Sequence, residues 1–67
     1  MALPDDIINE LRKQPGLTGM EITVNILGRR QYFHVVHREC RRLVDAGHLK
    51  RRGKGGPRDP FTYHLPR

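Results

Sequence analysis

Residues 32–46 constrain the fold most, because they combine a helical apolar stripe with a dense set of basic side chains. Apolar residues recur three and four positions apart, which is the spacing of one face of an α-helix. They are Phe33, Val36, Cys40, Leu43 and Val44. Gly47 follows, and glycine commonly supplies the left-handed residue that ends a helix. We therefore predict an amphipathic helix over residues 31–46, with one face for a core and the other for a negatively charged partner.

The length of 67 residues allows one small domain, residues 1–67, with a thin core. A domain of this size buries only about 60% of the surface that its unfolded chain exposes. The single cysteine excludes an internal disulfide. No apolar run approaches the roughly 18 residues of a membrane span, and the first residues, MALPDD, do not resemble a signal peptide. We therefore expect a cytoplasmic, intracellular protein with no membrane partner.

Charge is distributed unevenly along the chain. Residues 1–27 contain four acidic and two basic residues, whereas residues 28–67 contain eleven basic and three acidic residues. A basic half joined to an acidic half creates an oriented field. This pattern indicates that a polyanion docks on one side of the molecule, and a solvated charged surface is the alternative.

Residues 4–13 are predicted to form the first helix. Pro4 suits the first helical turn, where its missing N–H costs nothing. Acidic residues follow Pro4 directly, and Arg12 and Lys13 lie at the other end, as the helix dipole favours. Gln14-Pro15-Gly16 then ends the helix.

Residues 18–27 are predicted to form the second helix. Thr18 and Glu21 match a capping box, in which each side chain satisfies a backbone N–H of the other residue. Apolar residues lie almost all round this segment, which is typical of a helix packed between neighbours. The β-branched run 22–24 is also compatible with a strand, but the capping box favours a helix.

After Gly47 the pattern changes to short segments. Residues 48–52 and 61–65 are predicted strands, since the second alternates apolar and polar residues. Residues 53–60 are rich in glycine and proline and form a loop, so that the two strands make a hairpin. We expect Phe61, Tyr63 and Leu65 to close the core rather than to stack on bases.

Three helices followed by a basic hairpin resemble the order of elements in the winged helix-turn-helix family. The resemblance covers about residues 7–65, and the stretch CRRLVDAGHLKRR…FTYHL carries most of it. It implies an α+β fold, a small winged helix-turn-helix with three helices followed by a two-stranded β-hairpin wing. The turn after Gly28 is longer than in the tightest members, because three polar residues follow it. No extra helices of the sensor-type repressors are present in the sequence.

A recognition helix in the major groove reads base edges through a few outward side chains. With the apolar stripe inward, the candidates for base readout are Gln31, His34, Val35 and Arg38. Arg38 suits guanine, and Gln31 suits adenine if it lies within the helix. Val35 suits a thymine methyl group, and packing against the hairpin or the first helix is its alternative.

Further basic residues are expected to contact phosphates, which position the protein without specifying sequence. They are Arg29, Arg30, Arg41, Arg42, Arg52, Lys54 and Arg58. Lys54 and Arg58 lie at the predicted wing tip, from which a basic side chain enters a minor groove or follows a phosphate ridge. A solvated loop that contacts nothing is the alternative for these two residues.

The sequence gives less support to a metal site or a catalytic site than to a binding surface. His34, His37 and Cys40 recur every three residues, but this spacing drifts round a helix and Cys40 lies on the apolar stripe. We therefore expect no metal, no cofactor, no small-molecule ligand and no enzymatic activity. The sequence favours duplex DNA binding, as a small transcriptional regulator or DNA-binding module, by a monomer that pairs on DNA or joins a larger assembly. An RNA-binding or protein–protein interaction module on the same scaffold stays open.

Overall fold

The computed structural model describes residues 2–66 and contains three α-helices and a three-stranded antiparallel sheet. Helix α1 spans Leu3–Lys13, α2 spans Gly19–Leu27 and α3 spans Phe33–Asp45. Strands β1, β2 and β3 span Leu17–Thr18, Lys50–Arg52 and Thr62–His64. A short 3-10 turn, Arg30–Tyr32, lies between α2 and α3. The predicted α+β class and the predicted order of three helices and a hairpin are confirmed.

The sheet has β3 at its centre, between β1 and β2. Tyr63 on β3 lies opposite Leu17 on one side and Arg51 on the other. The predicted two-stranded hairpin is present as β2 and β3, but the sheet also contains a third strand, β1, which was not predicted. Two residues are too few to show strand alternation, so β1 depends on its long-range pairing with β3.

The strands of the hairpin are also shorter than the predicted ranges 48–52 and 61–65. The N–H groups of His48 and Leu49 donate to the carbonyl of Leu43, at 2.8 and 3.3 Å, and so close the end of α3 instead of pairing in the sheet. Gly47 has a φ of +83°, in agreement with its predicted role at the end of the helix. The chain becomes free to pair as a strand only at Lys50.

The core forms where the helices pack on one another and on Tyr63. Its buried apolar residues are Ile7, Leu11, Leu17, Ile22, Val36, Cys40, Leu43, Leu49 and Tyr63. The stripe predicted for α3 therefore faces inward, and Cys40 lies in the core as expected. Phe61 and Leu65 are partly buried against this core, which confirms their predicted packing role.

Helix α2 begins with the predicted capping box. Thr18 Oγ1 accepts a hydrogen bond from the N–H of Glu21 at 3.2 Å, and the Glu21 carboxylate accepts one from the N–H of Thr18 at 2.9 Å. Helix α2 packs between neighbours as expected, since it contacts both α1 and α3, but its apolar residues Val24 and Leu27 are 41% and 39% exposed. Within residues 2–66, no helix is long and apolar enough to span a membrane.

Candidate nucleic-acid interface

Helix α3 presents its polar side to solvent. Because Val36, Cys40 and Leu43 point into the core, the rotation of 100° per residue turns the intervening side chains outward. Five outward residues, here called the α3 surface, are all exposed. They are His34, Val35, Arg38, Arg41 and Arg42. The structure thus brings three of the four predicted base-reading residues onto one face of one helix.

Gln31, the fourth predicted base reader, lies in the 3-10 turn before α3 and not in the helix itself. The helix begins at Phe33, two residues later than predicted, because the chain needs the segment after Gly28 to turn. Gln31 is exposed, but it does not share the register of the α3 surface. The condition under which we assigned it to adenine is therefore not met.

Val35 is 53% exposed, the most of the large apolar side chains that stand open to solvent. The alternative reading of Val35, packing against the hairpin or the first helix, is therefore wrong. An apolar side chain among cations, uncovered by the protein itself, suits contact with an apolar group of a partner. On DNA the thymine methyl group is such a group.

The cations of the α3 surface differ in how freely they can contact a partner. Nε of Arg42 donates to Oε1 of Glu39 at 2.9 Å, and Nη2 of Arg42 forms a second bond to the same oxygen. This hydrogen bond and the negative charge of Glu39 raise the pKa of Arg42. Within residues 2–66 this is the one salt bridge, so Arg38 and Arg41 keep their full charge available to a ligand.

The β2–β3 loop, residues 53–60, is folded into a turn. The N–H of Asp59 donates to the carbonyl of Gly56 at 3.2 Å, and the N–H of Gly55 donates to the carbonyl of Asp59 at 2.9 Å. Pro57 occupies the second position of this β-turn, which its fixed φ favours. Lys54 and Arg58 are exposed near the tip, where the sequence predicted them.

Arg51 is a cation that we did not include among the candidates. Its guanidinium carbon lies 4.1 Å from the centroid of the Phe61 ring, in a cation–π contact. Arg51 is paired with Tyr63, so both side chains lie on one face of the sheet. Tyr63 and Phe61 also line, together with Phe33 and His37 of α3, a groove of about 360 Å³. Strand alternation in the sequence separates Arg51 from Lys50 and Arg52, and the pairing with Tyr63 shows that Arg51 is on the side of α3.

Three predicted phosphate contacts lie away from the α3 surface. Arg29 and Arg30 are exposed at the junction before α3, and Arg30 lines a shallow groove with Met20 and Val24 of α2. Arg52 is paired with Thr62 and lies on the opposite face of the sheet from Arg51. The assignment of these three residues to phosphates stays a prediction.

The histidine and cysteine residues of α3 were also considered as metal ligands. Among residues 2–66, no three His, Cys, Asp or Glu side chains lie close enough to share a metal ion. Comparison with protein-family models, with curated proteins and with solved structures found no match to this chain. Its function must therefore be inferred from the α3 surface and the β2–β3 loop.

Proposed function

We propose that this chain is a winged helix-turn-helix domain that binds duplex DNA, as a small transcriptional regulator or a DNA-binding module. Helix α3 acts as the recognition helix in the major groove, and the β2–β3 loop acts as the wing. The observation that supports this proposal most is that Arg38 and Arg41 are accessible to a ligand. Both are exposed on the outer face of α3, and neither has a carboxylate partner among residues 2–66.

The residues of the α3 surface nearest the amino end of the helix would read the bases. Arg38 supplies two parallel N–H donors, which match the O6 and N7 acceptors of guanine in the major groove. Val35, one turn earlier, contributes the apolar contact that suits a thymine methyl group. His34 lies beside Val35 and donates to a base edge or to a phosphate. These three residues would read only a few base pairs, so we also propose that two copies pair on a longer site.

Cations around this reading surface would position the protein on the DNA. Arg41 is exposed one turn after His37, which lines the groove. Arg51 lies across that groove on Phe61, and Lys54 and Arg58 extend from the loop. Cations on the helix and on the loop would meet phosphates on either side of a DNA groove.

Selection of bound sequences from a pool of random duplexes tests this proposal. The wild-type chain is expected to enrich a short motif. Arg38→Ala is expected to lose preference at one or two positions, because a bidentate Arg–guanine pair discriminates by about 1–3 kcal/mol. Lys13→Ala, which removes an exposed cation at the end of α1, is the matched control and should keep the motif. An unchanged motif with Arg38→Ala would contradict the assigned role of Arg38.

A protein-interaction module is the second candidate, because α2 and the 3-10 turn after it leave apolar side chains uncovered. Val24, Leu27 and Tyr32 are 41%, 39% and 42% exposed. A mobility-shift assay on random duplex DNA, with single-stranded RNA as competitor, separates the candidates. Binding to the duplex that RNA does not displace supports the first proposal. Preference for RNA, or binding of neither nucleic acid, would favour the alternatives.

A further inference from the structure

The basic residues of β2 lie on both faces of the sheet. Arg51 faces the side that carries Tyr63 and α3, whereas Lys50 and Arg52 face the other side, because successive side chains of a strand alternate. The sequence block Lys50-Arg51-Arg52 therefore supplies cations to two separate surfaces.

The side of Lys50 and Arg52 forms a second groove, here called the rear groove, between the sheet and the end of α1. Its volume is about 520 Å³. Lys50, Arg52 and His64 come from the sheet, and Arg12 comes from the last turn of α1. Leu11, which is fully buried, contributes the apolar floor. Two elements that are distant in the sequence thus bring three permanent cations to one open groove.

No carboxylate offsets this charge in the described part of the chain. Among residues 2–66, neither Asp nor Glu lines the rear groove. Arg12, Lys50 and Arg52 also form no salt bridge with any of those residues. Cations gathered without a counter-charge repel one another, and an anionic ligand would relieve this repulsion.

The spacing of the cations in the rear groove favours an extended polyanion over a small anion. Lys50 and Arg52 are two residues apart on one strand, so their α-carbons lie roughly 6.6 Å apart. Lys50 is also directly opposite His64 across the ladder. Cations spaced along an exposed strand suit successive phosphates of a nucleic-acid backbone better than they suit one enclosed phosphate.

The rear groove lies on the face of the sheet opposite to the one that faces α3. The domain measures 28 × 27 × 20 Å, whereas duplex DNA stays stiff over about 150 base pairs. Bending the same duplex round to the opposite face of the sheet would therefore be very costly. A second DNA segment is therefore needed to contact the cations on that face.

We propose that the rear groove binds the phosphate backbone of a second duplex DNA segment, so that one copy of the chain bridges two duplexes. This inference rests on the proposed DNA-binding function of the α3 surface. It also gives Arg52 its predicted role as a phosphate contact, on a duplex other than the one that Arg38 reads.

A capture assay tests the proposal. A duplex fixed to beads is incubated with the full chain and with a fluorescent free duplex, and captured fluorescence is measured. Wild type is expected to capture the free duplex. The rear variant Arg12→Gln/Lys50→Gln/Arg52→Gln is expected to capture about tenfold less, the loss expected from three exposed ion pairs. Its affinity for one duplex, measured by anisotropy, should stay near that of wild type.

A front variant, Arg38→Gln/Arg41→Gln/Lys54→Gln, is the control of equal charge, and it should bind the bead duplex itself more weakly. Circular dichroism verifies that both variants are folded. Wild type that binds the bead duplex but captures no free duplex overturns the bridging proposal and leaves the proposed function standing. Capture that persists in the rear variant also overturns bridging through the rear groove, since the chains would then be bridging by self-association. Wild type that binds neither duplex overturns both proposals.

Discussion

The α-carbon of Gly55 packs directly against the ring of Phe61. A Cβ atom at position 55 would lie 2.6 Å from Cζ of that ring, closer than real side chains approach. Gly55 also has a φ of +83°, which L-residues with a side chain rarely adopt. The same ring carries the guanidinium of Arg51 on it. Phe61 therefore joins the loop turn to the sheet, and glycine is needed where the two meet.

Gly55→Ala is expected to lower the free energy of unfolding by about 2 kcal/mol, because it adds both left-handed strain and a collision with Phe61. Gly56→Ala is the matched control, since its Cβ would meet no atom within 4 Å and its φ is not positive. It should change stability by less than about 0.5 kcal/mol. Urea unfolding followed by circular dichroism measures both. Equal losses for the two variants would contradict the packing of the loop on Phe61.

Val35 and Val36 are neighbours with opposite environments, 53% and 0% exposed. Val36→Ala is expected to cost about 2 kcal/mol of stability through lost burial and a cavity. Val35→Ala should change stability by less than about 0.5 kcal/mol. It should instead weaken the preference for thymine at one position about fourfold, the effect of one buried methyl group worth about 0.8 kcal/mol. Urea unfolding and competition between duplexes measure the two effects, and a stability loss for Val35→Ala would contradict its exposure.

The features that a local sequence pattern predicts well depend on residues close together in the chain. The stripe of Val36, Cys40 and Leu43 follows from helical spacing, and the capping box of Thr18 and Glu21 follows from residues three apart. Each depends on interactions within one turn of chain. For the same reason, the outward direction of Arg38 could be predicted before any tertiary contact was known.

The features that could not be predicted depend on contacts between distant residues. The pairing of Leu17 with Tyr63 makes a strand of two residues that have no pattern of their own. The contact of Arg51 with Phe61 needs the whole loop between them to fold back. The sequence also could not show that Arg12 meets Lys50 and Arg52 at one groove, since only the tertiary fold places the end of α1 near β2.

Cys40 supplies a test of the core that does not depend on DNA. Burial raises the pKa of its thiol from 9.0 to about 12, and the neighbouring charge of Glu39 adds to the shift. The neutral thiol is therefore favoured in the folded state, and labelling by a thiol reagent at pH 9 should be slow in buffer. The labelling rate should rise in urea with the same midpoint as unfolding. Fast labelling of the native chain would place Cys40 outside the core.

The same shift predicts how stability depends on pH. Because the pKa of Cys40 is higher in the folded state, its contribution is complete below about pH 9 and falls as the pH rises towards 12, by at most about 1.4 kcal/mol per unit. Burial raises the pKa of Tyr63 as well, so it adds to the fall in the same direction. Cys40→Ala should make the decline in the free energy of unfolding less steep. An identical decline in wild type and Cys40→Ala would contradict the assignment.

Salt dependence of duplex binding tests the electrostatic role of the α3 surface and the loop most directly. Anisotropy of a short labelled duplex is measured between 50 and 200 mM NaCl for wild type, Arg41→Gln and the control Lys13→Gln, which removes one charge at the end of α1. For about five phosphate contacts, log K should fall against log salt with a slope of roughly −4 to −5 in wild type and Lys13→Gln, and Arg41→Gln should lose about one unit of slope. A wild-type slope near zero, or an unchanged slope in Arg41→Gln, would contradict the account.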